Sequence, residues 1–495
     1  MQFDMETTLF NFGGEDNTAY TFRHAVMGCQ VFGSTGSGKT TGAGFFLLSR
    51  LMSVGCGGLI LTAKPTDKND FIEYCRLTGR SKDLVVIEPG GKEYFNFLEY
   101  ESTRDSDKTF TANLVEVLRV VIRSRDEKGG GKSDDRFWEE SLNLLIASCI
   151  DLSLFAYNKV TVPLLYEIAN SVPDKSKDSA FEKAMAAAQD NIQAKIDKWR
   201  SDIGERFLDG LADDVYNEAL FEDVPEARTY TIVENFFTQQ YRKLNERTRS
   251  IISMSLTSFL INLLRDPFYT LFCTKTTVTP EDCYTKGKII LLNIPVKLFH
   301  KVGQDIQIMF KYIWQRAMEK RNISENGMPV FLYADESHLF IHEQDAEFQA
   351  TARSSRVCTL YLSQSLNGYH ANIGGAKSEY RVKGFLATMG TKLFLYNTDI
   401  ETNTWASQLI GQSYETDQSQ TTSSVQGKVS ESLTQTTKLT QTIRPEQFAG
   451  LKGGGPSNNF KVSGYIHVQG MKFSNGFSHR YIVFDQKFTP SKFNS

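Results

Sequence analysis

Gly33-Ser34-Thr35-Gly36-Ser37-Gly38-Lys39-Thr40 sets three glycines, a lysine and a hydroxyl at the spacing G-x-x-x-x-G-K-[ST]. Glycines allow backbone N–H groups to curl around phosphate oxygens. A lysine at that spacing brings a point charge to the outer phosphates. The threonine offers a hydroxyl to a magnesium ion at the positive end of the helix that should follow. Gly33 to Thr41 are therefore the candidate nucleotide-binding residues, and Thr40 is a candidate metal ligand.

Asp335-Glu336 is the second chemical signal, placed directly after an apolar run. An acid in the position of Asp335 can hold the magnesium shell through water. Its neighbour Glu336 can polarise an attacking water, the general-base role in nucleotide hydrolysis. Gln364 ends the next apolar run, where an amide can orient water or sense the terminal phosphate. Arg353 and Arg356 lie between the two, and in a ring of subunits Arg353 can stabilise transition-state charge on a neighbour's nucleotide. Glu336, Lys39, Arg353 and Gln364 are the candidate catalytic residues. His338 and His342 stand four residues apart beside Glu336 but lack the H-E-x-x-H order and a third ligand. A helix after the acidic pair accounts for them better than zinc.

These residues need a scaffold that gathers strand ends. Val26 to Phe32 reads as a strand into the loop, and Thr41 to Val54 as an apolar-faced helix closed by Gly55. Leu59 to Thr62, Leu84 to Ile87, Lys288 to Pro295, Val330 to Glu336, Val357 to Leu362 and Lys392 to Tyr396 read as further strands. Helices are expected at Asp67 to Gly79, near 303–321 and before Gly411. Strands alternating with helices predict an α/β fold with a mostly parallel sheet covered on both faces. From about 105 to 268 the pattern turns helical. Phe181, Met185, Ala188, Ile192, Ile196 and Trp199 recur in steps of three and four, so an all-helical domain is expected there, inserted between residues 1–104 and 269–495. Glu127 to Asp135, with three glycines and Lys132, reads as a polar loop. Residues 412–442, rich in Ser, Thr and Gln, read as a flexible loop or polar hairpin. Phe460 to Val468 and Tyr481 to Phe484 read as two late strands.

The chain has 495 residues and a net charge of −3, so no global basic field announces nucleic acid. Its seven cysteines form no C-x-x-C pair, which points to reduced thiols in a cytosol. Neither a signal-peptide profile nor an apolar run of spanning length is evident, and a soluble chain is expected. Arg242, Lys243, Arg247 and Arg249 cluster in the helical region, where a solvated helix face is the first reading and DNA phosphate contact the second.

With these segments in this order, the chain resembles the type IV secretion coupling ATPases of TraG/TraD type, within the FtsK/HerA superfamily of RecA-like P-loop motors. Phe137-Trp138 with Leu142, Leu144 and Leu145 is similar to that family's Phe-Trp helix. Phe95-Asn96-Phe97-Leu98 is similar to its Phe-Asn segment, and Ala352-Arg353 through Gln364 to its Gly-Arg…Leu-Gln segment. Asp399 to Gly411 and Arg444-Pro445-Glu446-Gln447-Phe448 resemble its late helix and closing segment. The likeness runs from about 25 to 452. It departs at Thr62-Ala63-Lys64-Pro65-Thr66, where the family has Asp-Pro-Lys-Gly-Glu and only Lys64 matches, and in the family's leading membrane helices.

The resemblance implies ATP and Mg2+ as cofactors, a homo-hexamer, DNA as the moved substrate and a relaxase or other secretion component as partner. Because the chain departs from the family in those leading helices, a cytoplasmic protein attached to the inner membrane through a membrane-anchored partner is expected. Rival readings are a secretion or pilus-assembly ATPase acting on protein alone, a nucleotide-stabilised cargo adaptor, and a HerA-like repair or defence motor.

Overall fold

Uninterrupted runs of Val, Ile, Leu and Phe produce strands buried on both faces, which only a sheet covered by helices on each side can accommodate. In the computed structural model, which describes residues 3–13, 18–104, 110–128, 136–172, 178–204, 211–373, 378–425 and 428–490, these runs build one nine-stranded sheet. Of the expected loop Glu127 to Asp135, Glu127 and Lys128 instead end the helix Phe110–Lys128, and the rest, with its three glycines and Lys132, lies outside the described residues. Two compact units divide the chain. One comprises Met1–Val85, Glu281–Leu298 and Gln315–Ser495, the other Val86–Pro280 and Phe299–Trp314.

The strands are β1 (Thr8–Asn11), β2 (Ala19–Thr21), β3 (Cys29–Phe32), β4 (Gly57–Leu61), β5 (Leu84–Ile87), β6 (Ile289–Leu292) and β7 (Val330–Ala334). They continue as β8 (Val357–Ser363), β9 (Thr391–Leu395), β10 (Gln412–Val425), β11 (Lys428–Gln441), β12 (Lys461–Val468) and β13 (His479–Asp485). The large sheet runs β13-β12-β9-β3-β8-β7-β4-β6-β5. Strands β3, β4, β6, β7, β8 and β9 are buried along their whole length. Pairing from β9 through β3, β8, β7 and β4 to β6 is parallel, whereas β12 joins β9 and β13 antiparallel. This is the mostly parallel RecA-like sheet the sequence predicts.

Register decides what the sheet can do. Phe32 lies opposite Ser363, Tyr361 opposite Ala334, and Ala334 opposite Leu61. Parallel strands end at one edge, so the residues after them (Gly33, Gln364, Asp335 and Thr62) emerge together. That is where ligands bind in sheets of this kind.

Two local expectations are revised, and one open alternative is resolved. The helix after the phosphate loop opens as a π-helix over Lys39–Gly44 before the α-helix Phe45–Ser53. The helix expected after the acidic pair is a single 3-10 turn, Ser337–Leu339. Its geometry is set by a left-handed Glu336 and by Ser337, whose hydroxyl donates to Leu362 O and meets the Tyr369 hydroxyl at 2.6 Å. Strands β10 and β11 pair as the polar hairpin, one of the two forms expected of this stretch, with Gln412 opposite Gln441 and Val425 opposite Lys428.

The second unit is built on long helices, among them Phe110–Lys128, Arg136–Tyr157, Ala180–Ile203 and Glu246–Leu263. Its limits, 86–280 with 299–314, differ from the expected 105–268. One correction concerns membranes: Phe137–Tyr157 is long and apolar enough to span one by length and composition. Half of that stretch is buried inside the protein, as in a core helix. The helical stripe buries Phe181, Ala188, Ile192 and Trp199 with Ala184, while Met185 and Ile196 are half-buried.

Two residues of the basic cluster belong to this packing. Arg242 pairs with Glu182 and lies over the Phe181 ring at 5.3 Å, and Arg249 Nη1 donates to Arg242 O at 3.0 Å. Lys243 and Arg247 are exposed. Phe181 also meets Phe237 edge-on at 4.8 Å. Phe181→Ala should lower the stability of this unit by about 3–5 kcal/mol in urea unfolding, and a loss below about 1 kcal/mol would contradict the packing.

Candidate active site

The phosphate loop hangs from the ends of two strands. Gly33 N donates to Ser363 O at 3.2 Å, Ser34 N to Tyr396 O at 3.0 Å, and the Ser34 hydroxyl to Asn397 Oδ1 at 3.0 Å. Ser37 folds under the loop, buried, and a Cβ on Gly33 would lie 2.4 Å from its hydroxyl. Gly38 is required twice over. Its φ is +76°, and an added Cβ would come 2.3 Å from Val462 Cγ2. Thr35 and Gly36 form the exposed crest. The Thr41 hydroxyl accepts from Gln486 Nε2 at 2.7 Å, and Gln486 Oε1 accepts from Gly455 N at 2.7 Å. The C-terminal part of the chain therefore buttresses the loop.

Around this cradle the acidic strand end closes in. Thr40 Oγ1 donates to Asp335 Oδ2 at 2.6 Å. Lys39 Nζ stands 3.2 Å from Glu336 Oε1, with only 7% and 8% of the two side chains exposed. Gln364 Nε2 donates to the same oxygen at 3.0 Å. His338 Nδ1 lies 3.7 Å from Glu336 Oε2. Burial pushes the Glu336 carboxyl up, but the Lys39 ammonium, the Gln364 amide and His338 together outweigh it and hold the group below the usual glutamate range. Glu336 also sits at φ 53°, ψ 44°, a conformation that costs a residue with a Cβ about 1–3 kcal/mol and is concentrated at functional sites.

Five of the expected residues are therefore gathered: Lys39, Thr40, Asp335, Glu336 and Gln364. Arg353 and Arg356 are not. They precede β8, whose seven residues at about 3.3 Å each put them roughly 20 Å from its Gln364 end. Arg353 is exposed, whereas Arg356 turns inward and donates to Gly327 O at 2.5 Å. No group of three or more His, Cys, Asp or Glu with metal-holding geometry exists among the described residues. His342 is buried instead against Gln315 and Asp345.

Two contributors escape motif reading. Asp67 anchors the divergent Thr62-Ala63-Lys64 turn, its Oδ2 accepting from Ala63 N at 2.9 Å and Lys64 N at 2.8 Å. Burial raises its pKa, partly offset by those two hydrogen bonds. Lys64 Nζ then reaches to 3.9 Å from Asp335 Oδ2. An acid three residues beyond a lysine at a strand end was the available signal for Asp67. Gln486 had none.

A Gly-rich loop on a parallel sheet edge, with lysine, hydroxyl and paired acids converging, defines a RecA-like P-loop NTPase fold. Residues 329–453 match a family model, TraG-D_C, described as the TraM recognition site of TraD and TraG. No curated protein sequence matches the chain. Among solved structures, the unbound form of the bacterial conjugative coupling protein TrwBdeltaN70 aligns with a TM-score of 0.60 at 11% identity, covering 99% of this chain and 90% of that one. The plasmid coupling protein TrwB in complex with ADP and Mg2+ aligns at 0.59 and 10% identity, covering 96% and 88%. Its complex with a non-hydrolysable ATP analogue aligns at 0.57 and 11%, covering 94% and 87%. The family match and the shared fold agree with the type the sequence resembles, the TraG/TraD-type coupling protein.

Proposed function

We propose that this chain is a Mg2+-dependent ATPase that acts as a coupling motor in conjugative transfer or type IV secretion, moving DNA with or without an attached protein. The observation that carries the proposal is the Glu336 carboxylate, buried and held ionised by Lys39 and Gln364 beside the Thr40–Asp335 pair. The donor set suits the cofactors. Thr40 and Asp335 offer hard oxygens, as magnesium prefers, and the loop glycines leave room for phosphate. TrwB, which shares the fold, has been crystallised with ADP and Mg2+ and with an ATP analogue.

In this reading Gly33 to Thr41 cradle the phosphates and Lys39 turns to the outer ones. Thr40 and Asp335 would hold magnesium, which would supply positive charge to the phosphate oxygens. Glu336 takes a proton from water, whose oxygen attacks the γ-phosphorus as the bond to ADP breaks. Gln364 senses the change. In a ring of subunits, a hexamer as the resemblance implies, Arg353, exposed and far from its own chain's Gln364, would reach a neighbour's nucleotide. The 329–453 segment is the region through which a relaxosome component would be recognised, at the cytoplasmic face of the inner membrane.

ATP turnover should rise with added single- or double-stranded DNA, and DNA affinity should fall steeply with salt. Turnover indifferent to DNA, with no DNA binding at low salt, would overturn the DNA part and favour an ATPase acting on protein alone. The near-neutral charge of −3 is the observation that keeps this second reading in play.

A further inference from the structure

Glu336 is held asymmetrically. Both Lys39 and Gln364 bind Oε1, while Oε2 is buried with no hydrogen-bond partner among the described residues. His338 Nδ1 lies 3.7 Å from Oε2 and also meets the Ser363 hydroxyl at 3.1 Å. That separation is too long for a hydrogen bond, yet less than about 1 Å from one.

The imidazole has little freedom. Its side chain is 15% exposed. Gly368 lies against it so closely that a Cβ there would stand 3.1 Å from His338 Cγ. The Tyr369 ring meets it edge-on at 6.3 Å and is itself fixed by hydroxyl contacts to Ser337 at 2.6 Å and Gln30 Oε1 at 2.7 Å. Lys39, by contrast, is a flexible four-carbon stem that phosphate would draw away.

We propose that His338 is a positioning residue that receives the Glu336 carboxylate when Lys39 turns to phosphate, holding it on the side where water is activated. The proposal rests on the reading of Glu336 as the base. In the structure as it stands, Lys39 occupies the carboxylate. With Lys39 engaged elsewhere, Gln364 retains Oε1 and a small rotation closes Oε2 onto Nδ1. The base then faces the water from two fixed points instead of swinging on a strained backbone. Of the two histidines whose spacing invites a zinc reading, His338 thus serves the carboxylate beside it, while His342 packs against Gln315 and Asp345.

Three variants separate nitrogen from packing. His338→Phe keeps a ring against Gly368 and Tyr369, His338→Ala keeps neither ring nor nitrogen, and His338→Asn places an amide near the Nδ1 position. Because general-base catalysis is worth ~10²–10⁴-fold, losing its alignment should lower kcat by about tenfold or more in the Phe and Ala variants. The Kd for a fluorescent non-hydrolysable ATP analogue should stay within about twofold, and His338→Asn should retain at least about a third of kcat, since only the chemical step is touched.

Should His338→Phe fail to fold, the Ala and Asn pair still decides. Native turnover in His338→Ala, an Asn variant as slow as Ala, or a defect confined to analogue binding would each overturn the proposal. A native chain that hydrolyses no ATP would instead overturn the reading of Glu336 on which it rests.

Discussion

Glu336→Gln should bind ATP with near-native affinity and release phosphate ~10²–10⁴-fold more slowly, the span general-base catalysis contributes. The substitution keeps the side chain's shape and leaves an amide oxygen for Lys39 and Gln364, which now stand 3.2 and 3.0 Å from Oε1. It removes only the capacity to take a proton. Phosphate release and equilibrium binding of a fluorescent analogue, measured on the same preparation, separate the two effects. A variant that turns over ATP at the native rate would exclude Glu336 as the base. A variant that neither binds nor turns over would assign it to the structure of the loop.

Lys39→Ala should fail earlier, at binding. A charge-assisted contact is worth about 1.5–3 kcal/mol, so loss of the ammonium should weaken ATP by roughly tenfold to a hundredfold. The nucleotide-free protein should also lose stability, because breaking a buried pair leaves a carboxylate without its counter-charge and typically costs about 3–5 kcal/mol.

The pH dependence has a definite sign. Glu336 is held below the ordinary value of 4.5, so its pairing contributes fully above that value and is lost as pH falls through the lowered one. Native chain and Lys39→Ala should therefore differ most near neutrality and converge in acid. Urea unfolding at several pH values tests this, and a difference independent of pH would contradict the buried pair.

The chemistry was legible where it is local. The phosphate loop carries its signature in eight consecutive residues, and the acidic pair and Gln364 announce themselves at the ends of apolar runs that become β7 and β8. Parallel pairing then brings these ends together, which follows from the alternation of strands and helices. What stayed hidden depends on residues far apart in the chain. The left-handed Glu336 and the 3-10 turn after it follow from Ser337 meeting Leu362 and Tyr369. The brace on Thr41 comes from Gln486, in a segment with no motif. The second unit recruits 299–314 from beyond the helical stretch because contiguity in space, not in sequence, defines a core. The helix Phe137–Tyr157 passed unnoticed as a candidate span because its polar residues interrupt the apolar run without lowering its average enough.

The most direct test of the account is steady-state phosphate release by the native chain with Mg2+ and ATP, set beside the same measurement on Glu336→Gln. Hydrolysis by the native chain that requires Mg2+ and collapses in the variant is the expected result. Analogue binding without hydrolysis in the native chain would contradict the central claim and leave a nucleotide-stabilised adaptor in its place.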